Sequence, residues 1–188
     1  MNGNLIYMVG ASGAGKDSIL KHCRSQLAER LDTCIAHRYI TRAADAGAGA
    51  ENHVALTSAE FHYRKQRGLF KFDWQANGLD YGIGREVDHW LARGLNVIVN
   101  GSRRFLPEAR RLHPQLKAVY IDVDIDNLRQ RLFSRGRESA AQIEQRLSRH
   151  QQIASEIADY SLRINNSGDL TIACGELLCF IEGSNTEI

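Results

Sequence analysis

Hydrophobic and polar positions fall into two alternating kinds of segment. Short, mostly apolar runs occur at Leu5–Val9, Cys34–Tyr39, Leu95–Val99, Ala118–Val123 and Leu162–Ile164. Runs of this length with no consistent polar side predict strands covered on both faces. Between them apolar residues return at helical spacing. Leu20, Cys23, Leu27 and Leu31 predict a helix from about Ser18 to Leu31, and Leu170, Cys174, Leu177, Leu178 and Ile181 predict a C-terminal one. Further helices are expected from about Glu86 to Gly94, near Pro107–Leu112, at Asp126–Ser134, and, after a break at Ser134-Arg-Gly-Arg137, to about Asp159. Strands alternating with helices predict an α/β fold, an open parallel sheet with helices on both faces.

The section from about Thr41 to Gly84 breaks this rhythm. Ala43–Ala50 is rich in Gly and Ala and predicts a loop, and Thr57-Ser-Ala-Glu60 is a capping box opening a short helix through about Gln66. Phe70–Trp74 and the Asn77-Gly78 turn predict extended structure. The section is too long for a crossover, so an inserted lobe at about 41–84 is expected within one domain spanning the 188 residues.

Composition narrows the function classes. With 43% apolar residues the chain can bury a full core without a disulfide or metal staple. A net charge of +2 does not suggest a nucleic-acid binder. No run approaches the roughly 18 apolar residues of a membrane span, and the start MNGNLIYMVG does not read as a signal peptide. Cys23, Cys34, Cys174 and Cys179 form no metal pattern and read as small core residues in a reducing cytoplasm. The positive charge is unevenly made, with 19 Arg against 5 Lys. Arg grips phosphate and carboxylate bidentately, so the bias suits a polyanionic ligand; a GC-rich genome would produce it too.

One motif carries phosphate chemistry. Gly10-Ala11-Ser12-Gly13-Ala14-Gly15-Lys16 follows a predicted strand and opens a predicted helix, the context of a P-loop. Its glycines let backbone N–H groups face a phosphate, and Lys16 would reach the β/γ-phosphates of ATP. The motif ordinarily ends in Lys-Ser/Thr, whose hydroxyl holds Mg²⁺. Here Asp17 and then Ser18 follow. A carboxylate is a hard-oxygen ligand, so Asp17 can serve the metal directly or through water, or Ser18 can do so from one position later. Asp is also favoured in a first helical turn for its charge alone. At the end of Leu95–Val99, where P-loop enzymes often carry an acid, stands neutral Asn100.

Around the helix break stand Arg131, Arg135, Arg137, Arg146 and Arg149. Beside a P-loop they read as a lid, at about 135–142, whose Arg131, Arg135 and Arg146 stabilise a moving phosphoryl group. The competing reading is a solvated face with pairs such as Glu144 to Arg137 or Arg149.

At this point the chain resembles the guanylate kinase superfamily over nearly its whole length. The loop GASGAGK, the capped Thr57–Phe61 helix, Gly68-Leu-Phe70, Tyr81-Gly82 and RLFSRGRES…RL follow that family's order. GASGAGKDS, AHRYITR, ENHVAL, ANGLDYG and VNGSR are similar to its branch that phosphorylates ribose 1,5-bisphosphate with ATP in phosphonate utilisation, forming 5-phospho-α-D-ribose 1-diphosphate (PRPP).

The resemblance implies a cytoplasmic Mg²⁺-dependent kinase whose acceptor site draws on Arg38, Arg42, His53 and Tyr81, with His37, Asn52 and Arg103 as further polar candidates. Guanylate kinases hold the GMP phosphate with two arginines in Thr-Arg-x-x-Arg; here Thr41-Arg42 keeps the first and Asp45 stands at the second. His53 stands where they place one phosphate-binding tyrosine, and Tyr81 keeps the other. Phe72 stands where they place the acid that reads guanine. Phe72 accepts no hydrogen bond, and leaving the guanine donors unpaired costs about 1–3 kcal/mol each, so GMP is a poor acceptor. Asp73 and Asp80 are read either as sugar-hydroxyl contacts or as turn and surface residues. Asn165-Asn166 is read either as the loop near adenine or as a plain turn. Guanylate kinase activity, or a binding module without chemistry, are the rival readings; the second draws on the Asp17 and Asn100 departures.

Overall fold

The computed structural model describes residues 2–29, 32–42, 53–134, 136, 139–154 and 159–183. Its main layer is a five-stranded sheet in the order β2-β7-β1-β8-β9: Thr33–Ile35, Asn96–Asn100, Leu5–Gly10, Lys117–Asp122 and Leu162–Asn165. Every pairing in it is parallel. Both faces are covered, which is why these strands are apolar without alternation. Ile6, Met8, Ile98, Val119 and Ile121 point into one core with residues of α1 (Lys16–Ala28), α5 (Ile125–Ser134), α6 (Ala140–Ala154) and α7 (Leu170–Gly183). Leu5, Tyr7, Val9, Val97, Val99 and Tyr120 point into a second core with α3 (Glu86–Ala92) and α4 (Leu106–Leu112). The expected open parallel sheet between two helical layers is what the chain forms.

A second sheet, β4-β3-β6-β5, comprises His53–Ala55, Arg38–Ile40, Leu79–Gly84 and Phe70–Ala76. Its β5–β6 hairpin turns at Asn77 and Gly78, with φ of 52° and 74°. Two consecutive positive φ values define the turn that matches strand twist, and Asn-Gly is the pair that tolerates them. Helix α2 (Ser58–Gln66) is capped by Thr57, whose hydroxyl accepts from the Glu60 N–H at 3.1 Å. The box is half used, because the Glu60 carboxylate accepts from Arg64 at 2.7 Å instead. Leu56, Phe61 and Phe70 form this lobe's own small core. Phe72 and Ile83 reach into the second core of the main sheet.

Two expectations are corrected here. Cys34–Tyr39 is not one strand. Ala36 is buried and its N–H still donates to Ile98 O at 2.9 Å, after which the chain leaves the main sheet and Arg38–Ile40 enters the other. The second sheet therefore begins upstream of Thr41. Nor are all four cysteines independent core residues. Cys23 and Cys174 form a disulfide across 151 positions of sequence, with Cα atoms 6.0 Å apart, while Cys179 is exposed. Cys23 lies on the α1 stripe that faces α7, and only packing brings the two stripes together. The expected Ala43–Ala50 loop lies outside the described residues. Among the described residues no helix is long and apolar enough to cross a membrane.

Candidate active site

The loop from Gly10 to Gly15 joins β1 to α1, and its shape is set by backbone rather than by side chains. Gly13 and Gly15 have φ of 100° and 90°. At Gly15 a Cβ would also stand 2.3 Å from Asn166 Nδ2, so glycine is required there twice over. Gly15 is the N-cap of α1 and offers no side-chain acceptor, so the first turn points its N–H groups outward. Lys16 donates from Nζ to Gly10 O at 3.0 Å and Ala11 O at 3.1 Å, which folds the ammonium over the loop.

Two arginines from the α5–α6 region converge on this loop. Arg131 donates to Asn166 O at 2.7 Å, and Arg146 donates to the Ser12 hydroxyl at 3.3 Å. Asn166 is the hub: buried at 2% exposure, it donates through Nδ2 to Ala14 O at 2.6 Å while its own carbonyl takes Arg131. The plain-turn reading of Asn166 thus misses its contact with the loop. The signal for it, a polar residue closing a strand, is too common to single it out. Arg135 and Arg137 lie outside the described residues. Glu144 accepts from Arg129, at 3.2 and 3.4 Å, across α5 and α6.

The second sheet faces the loop through Arg38. Its Nη2 donates to Asp17 Oδ1 at 2.9 Å, and its guanidinium lies 6.0 Å from the Tyr81 ring centroid. Tyr81 stacks parallel on Trp74 at 5.6 Å, which fixes its ring plane. His53 is the register partner of Arg38 on the neighbouring strand, so the two project from the same sheet face. The His53 Nε2 atom is buried, with no hydrogen-bond partner among the described residues. Arg42 follows β3 and is half-buried; Asp45 and Asn52 lie outside the described residues. Arg103 donates to the Tyr120 hydroxyl at 3.4 Å. Asp73 pairs with Lys65, and Asp80 accepts from Gln75 at 2.8 Å across the hairpin.

Asp17 is where these elements meet. The same Oδ1 that takes Arg38 also accepts from Asn100 Nδ2 at 2.7 Å. Ser18 makes no side-chain hydrogen bond among the described residues. Phe72, at 1% exposure, is packed edge-on against Tyr7 and Phe105 at 5.8 and 6.0 Å. It belongs to the core and offers no polar atom to the cleft.

Elsewhere arginines are spent on the surface: Arg64 pairs with Glu60, Arg111 with Glu108, and Arg67 lies over the Tyr63 ring. The Arg111 pair lowers the Glu108 carboxyl below its ordinary range through hydrogen bonding.

Related proteins follow this chain over nearly its whole length. The guanylate kinase family model matches residues 2–183. The ribose 1,5-bisphosphate phosphokinase PhnN of Psychromonas ingrahamii is 45% identical over 186 residues, 99% of this chain and 93% of that protein. That of Desulfomicrobium baculatum is 51% identical over 166 residues, 88% of this chain and 87% of its own. The crystal structure of guanylate kinase from Anaplasma phagocytophilum superposes with a TM-score of 0.72 over 97% of this chain and 86% of that one; at 14% identity it speaks for the fold alone. The chain belongs to the guanylate kinase family, in the branch of the ribose 1,5-bisphosphate phosphokinases.

Proposed function

We propose that this chain is a cytoplasmic ATP-dependent kinase that converts ribose 1,5-bisphosphate to PRPP and ADP in phosphonate catabolism. The observation that carries the choice of acceptor within the family is the burial of Phe72. At the position where guanylate kinases read the base, this chain has an apolar core residue and therefore no acceptor for guanine N–H groups. The names of relatives 45–51% identical support the same acceptor.

In this reading the backbone of Gly10–Gly15, Lys16 and the first turn of α1 with Asp17 and Ser18 hold the ATP phosphates. Lys16 exchanges its two carbonyl partners for phosphate oxygens. Arg131 and Arg146 of the lid, with Arg135, bear on the γ-phosphoryl group. Arg38, Arg42, His53 and Tyr81 hold the acceptor; the unpartnered His53 Nε2 suits a phosphate oxygen. An oxygen of the 1-phosphate attacks the γ-phosphorus, a new P–O bond forms, the bond to ADP breaks, and ADP leaves with that electron pair. Such an oxygen is already ionised at neutral pH, so no protein base is needed.

Mg²⁺ fits the donor set. Among the described residues no three His, Cys, Asp or Glu side chains converge as a cage, and Mg²⁺ ordinarily takes phosphates, waters and one or two carboxylates. Asp17 is the residue to hold it, directly or through water. When bound there, the ion would supply positive charge against the negative charge of the ATP phosphates.

The test is ATP-dependent PRPP formation from ribose 1,5-bisphosphate, with GMP run in parallel. The expected result is a kcat/KM for the ribose bisphosphate well above that for GMP; the reverse order restores guanylate kinase. The departures at Asp17 and Asn100 favour a second reading, a binding module without chemistry. Failure to bind Mg–ATP at millimolar concentration would select it.

A further inference from the structure

Asn100 ends β7 beside Met8 of β1, two residues before the phosphate loop. It is 3% exposed. Its Nδ2 donates to Asp17 Oδ1 at 2.7 Å, and because a carboxylate oxygen only accepts, this bond sets which way the amide faces. The atom left over is Oδ1, buried and without a hydrogen-bond partner among the described residues. A buried acceptor left empty is costly, and an apolar side chain of similar shape would avoid that cost. Among the described residues nothing donates to this oxygen. Its neighbour is the carboxylate that follows Lys16, so the missing group lies on the cation side of the donor phosphates. Hard neutral and anionic oxygens side by side suit a hydrated divalent ion.

We propose that Asp17 and Asn100 have exchanged the two cation-facing roles of the phosphate loop. The usual layout places a neutral hydroxyl after the lysine and an acid at the end of the neighbouring strand. Here the acid is on the helix and the neutral oxygen, Asn100 Oδ1, is at the strand end, facing the cation directly or through water. The pair keeps the one carboxylate of the usual layout, and here that carboxylate is shared with the Arg38 guanidinium. Asn100 is thus a positioning residue. Nδ2 holds Asp17 in place beside Arg38, and Oδ1 completes the cation's surroundings. This inference rests on the ATP-dependent reading above.

The test uses the full chain, Mn²⁺ as a spectroscopic stand-in, and a non-hydrolysable ATP analogue. Mn²⁺ affinity in the ternary complex is read by electron paramagnetic resonance, and metal-free nucleotide affinity by calorimetry. Asp17→Ser should weaken Mn²⁺ by about 10–100-fold, the range for losing a metal-orienting group. The double variant Asp17→Ser with Asn100→Asp, which restores the usual layout, should regain more than half of that loss on a logarithmic scale. Regaining less overturns the exchange. Should the double variant not fold, Asn100→Ala against Asn100→Ser decides. Ala should weaken Mn²⁺ severalfold, with Ser recovering part of it and metal-free nucleotide affinity constant; equal loss of metal-free binding assigns Asn100 a purely structural role. A parent protein that binds no nucleotide at all overturns the donor reading as well. One that makes PRPP while the exchange fails overturns only this inference.

Discussion

In the proposed reading the donor loop and the acceptor sheet solve the same problem, holding a phosphate, by opposite means. The loop is backbone held from behind by a large core: Ile6, Met8, Ile19, Cys23 and Leu128 are all buried beneath it. The ligands proposed for it are main-chain N–H groups, in a loop turned by two glycines with positive φ. The acceptor sheet rests on a three-residue core of its own, and its candidate ligands are side chains on short strands. Backbone ligands are indifferent to substitution provided the turn survives, whereas side-chain ligands can be replaced one at a time. The donor half can therefore stay constant in a family while the acceptor half changes substrate. In the proposed reading Phe72 is such a replacement, an apolar side chain on β5 packed into the core.

The comparison can be broken experimentally. Lys16→Ala removes the loop's single point charge and should lower kcat by roughly 10²–10³-fold, the range for losing one transition-state donor. A nearly unaffected rate would remove the loop from the chemistry. Phe61→Ala opens a cavity in the lobe's small core and should cost about 3 kcal/mol, the low end for buried Phe because a small core collapses more readily. Denaturant unfolding checks it, with nucleotide affinity below the transition expected to hold; joint loss would mean the lobe and loop are one cooperative unit. Arg42→Ala should raise the acceptor KM by about 10–100-fold, the equivalent of a charged hydrogen bond, and leave the ATP KM in place. An unchanged acceptor KM removes Arg42 from the site. The smallest effect is expected from Arg64→Ala, which breaks an exposed pair with Glu60 and a contact over Tyr39, and should shift stability by less than about 1 kcal/mol.

The parts legible in the sequence are those governed by neighbours in the chain. The strand-to-loop-to-helix order at Leu5–Ala28, the Asn77-Gly78 hairpin and the Thr57 cap each depend on a few adjacent residues, and each is found where the spacing puts it. The division of Cys34–Tyr39 between two sheets was not legible, because nothing local marks Ala36 as the last residue to bond to β7. Asn166 gives no sequence signal for its role at the loop, since its partners Ala14 and Arg131 lie 152 and 35 positions away. The Cys23–Cys174 link is hidden for the same reason.

Sequence alone determined the fold class, the glycine loop with Asp17 after its lysine, and an apolar residue at position 72. These follow from periodicity, glycine conformational freedom and residue chemistry, all of which are local. Tertiary structure alone decided that one Asp17 oxygen is shared between Arg38 of the acceptor sheet and Asn100 of the central sheet, 21 and 83 positions away. It also decided that Asn100 buries an oxygen with no hydrogen-bond partner among the described residues. Hydrogen-bond satisfaction of a buried side chain is set by what folding brings within about 3 Å, and no one-dimensional pattern carries that distance.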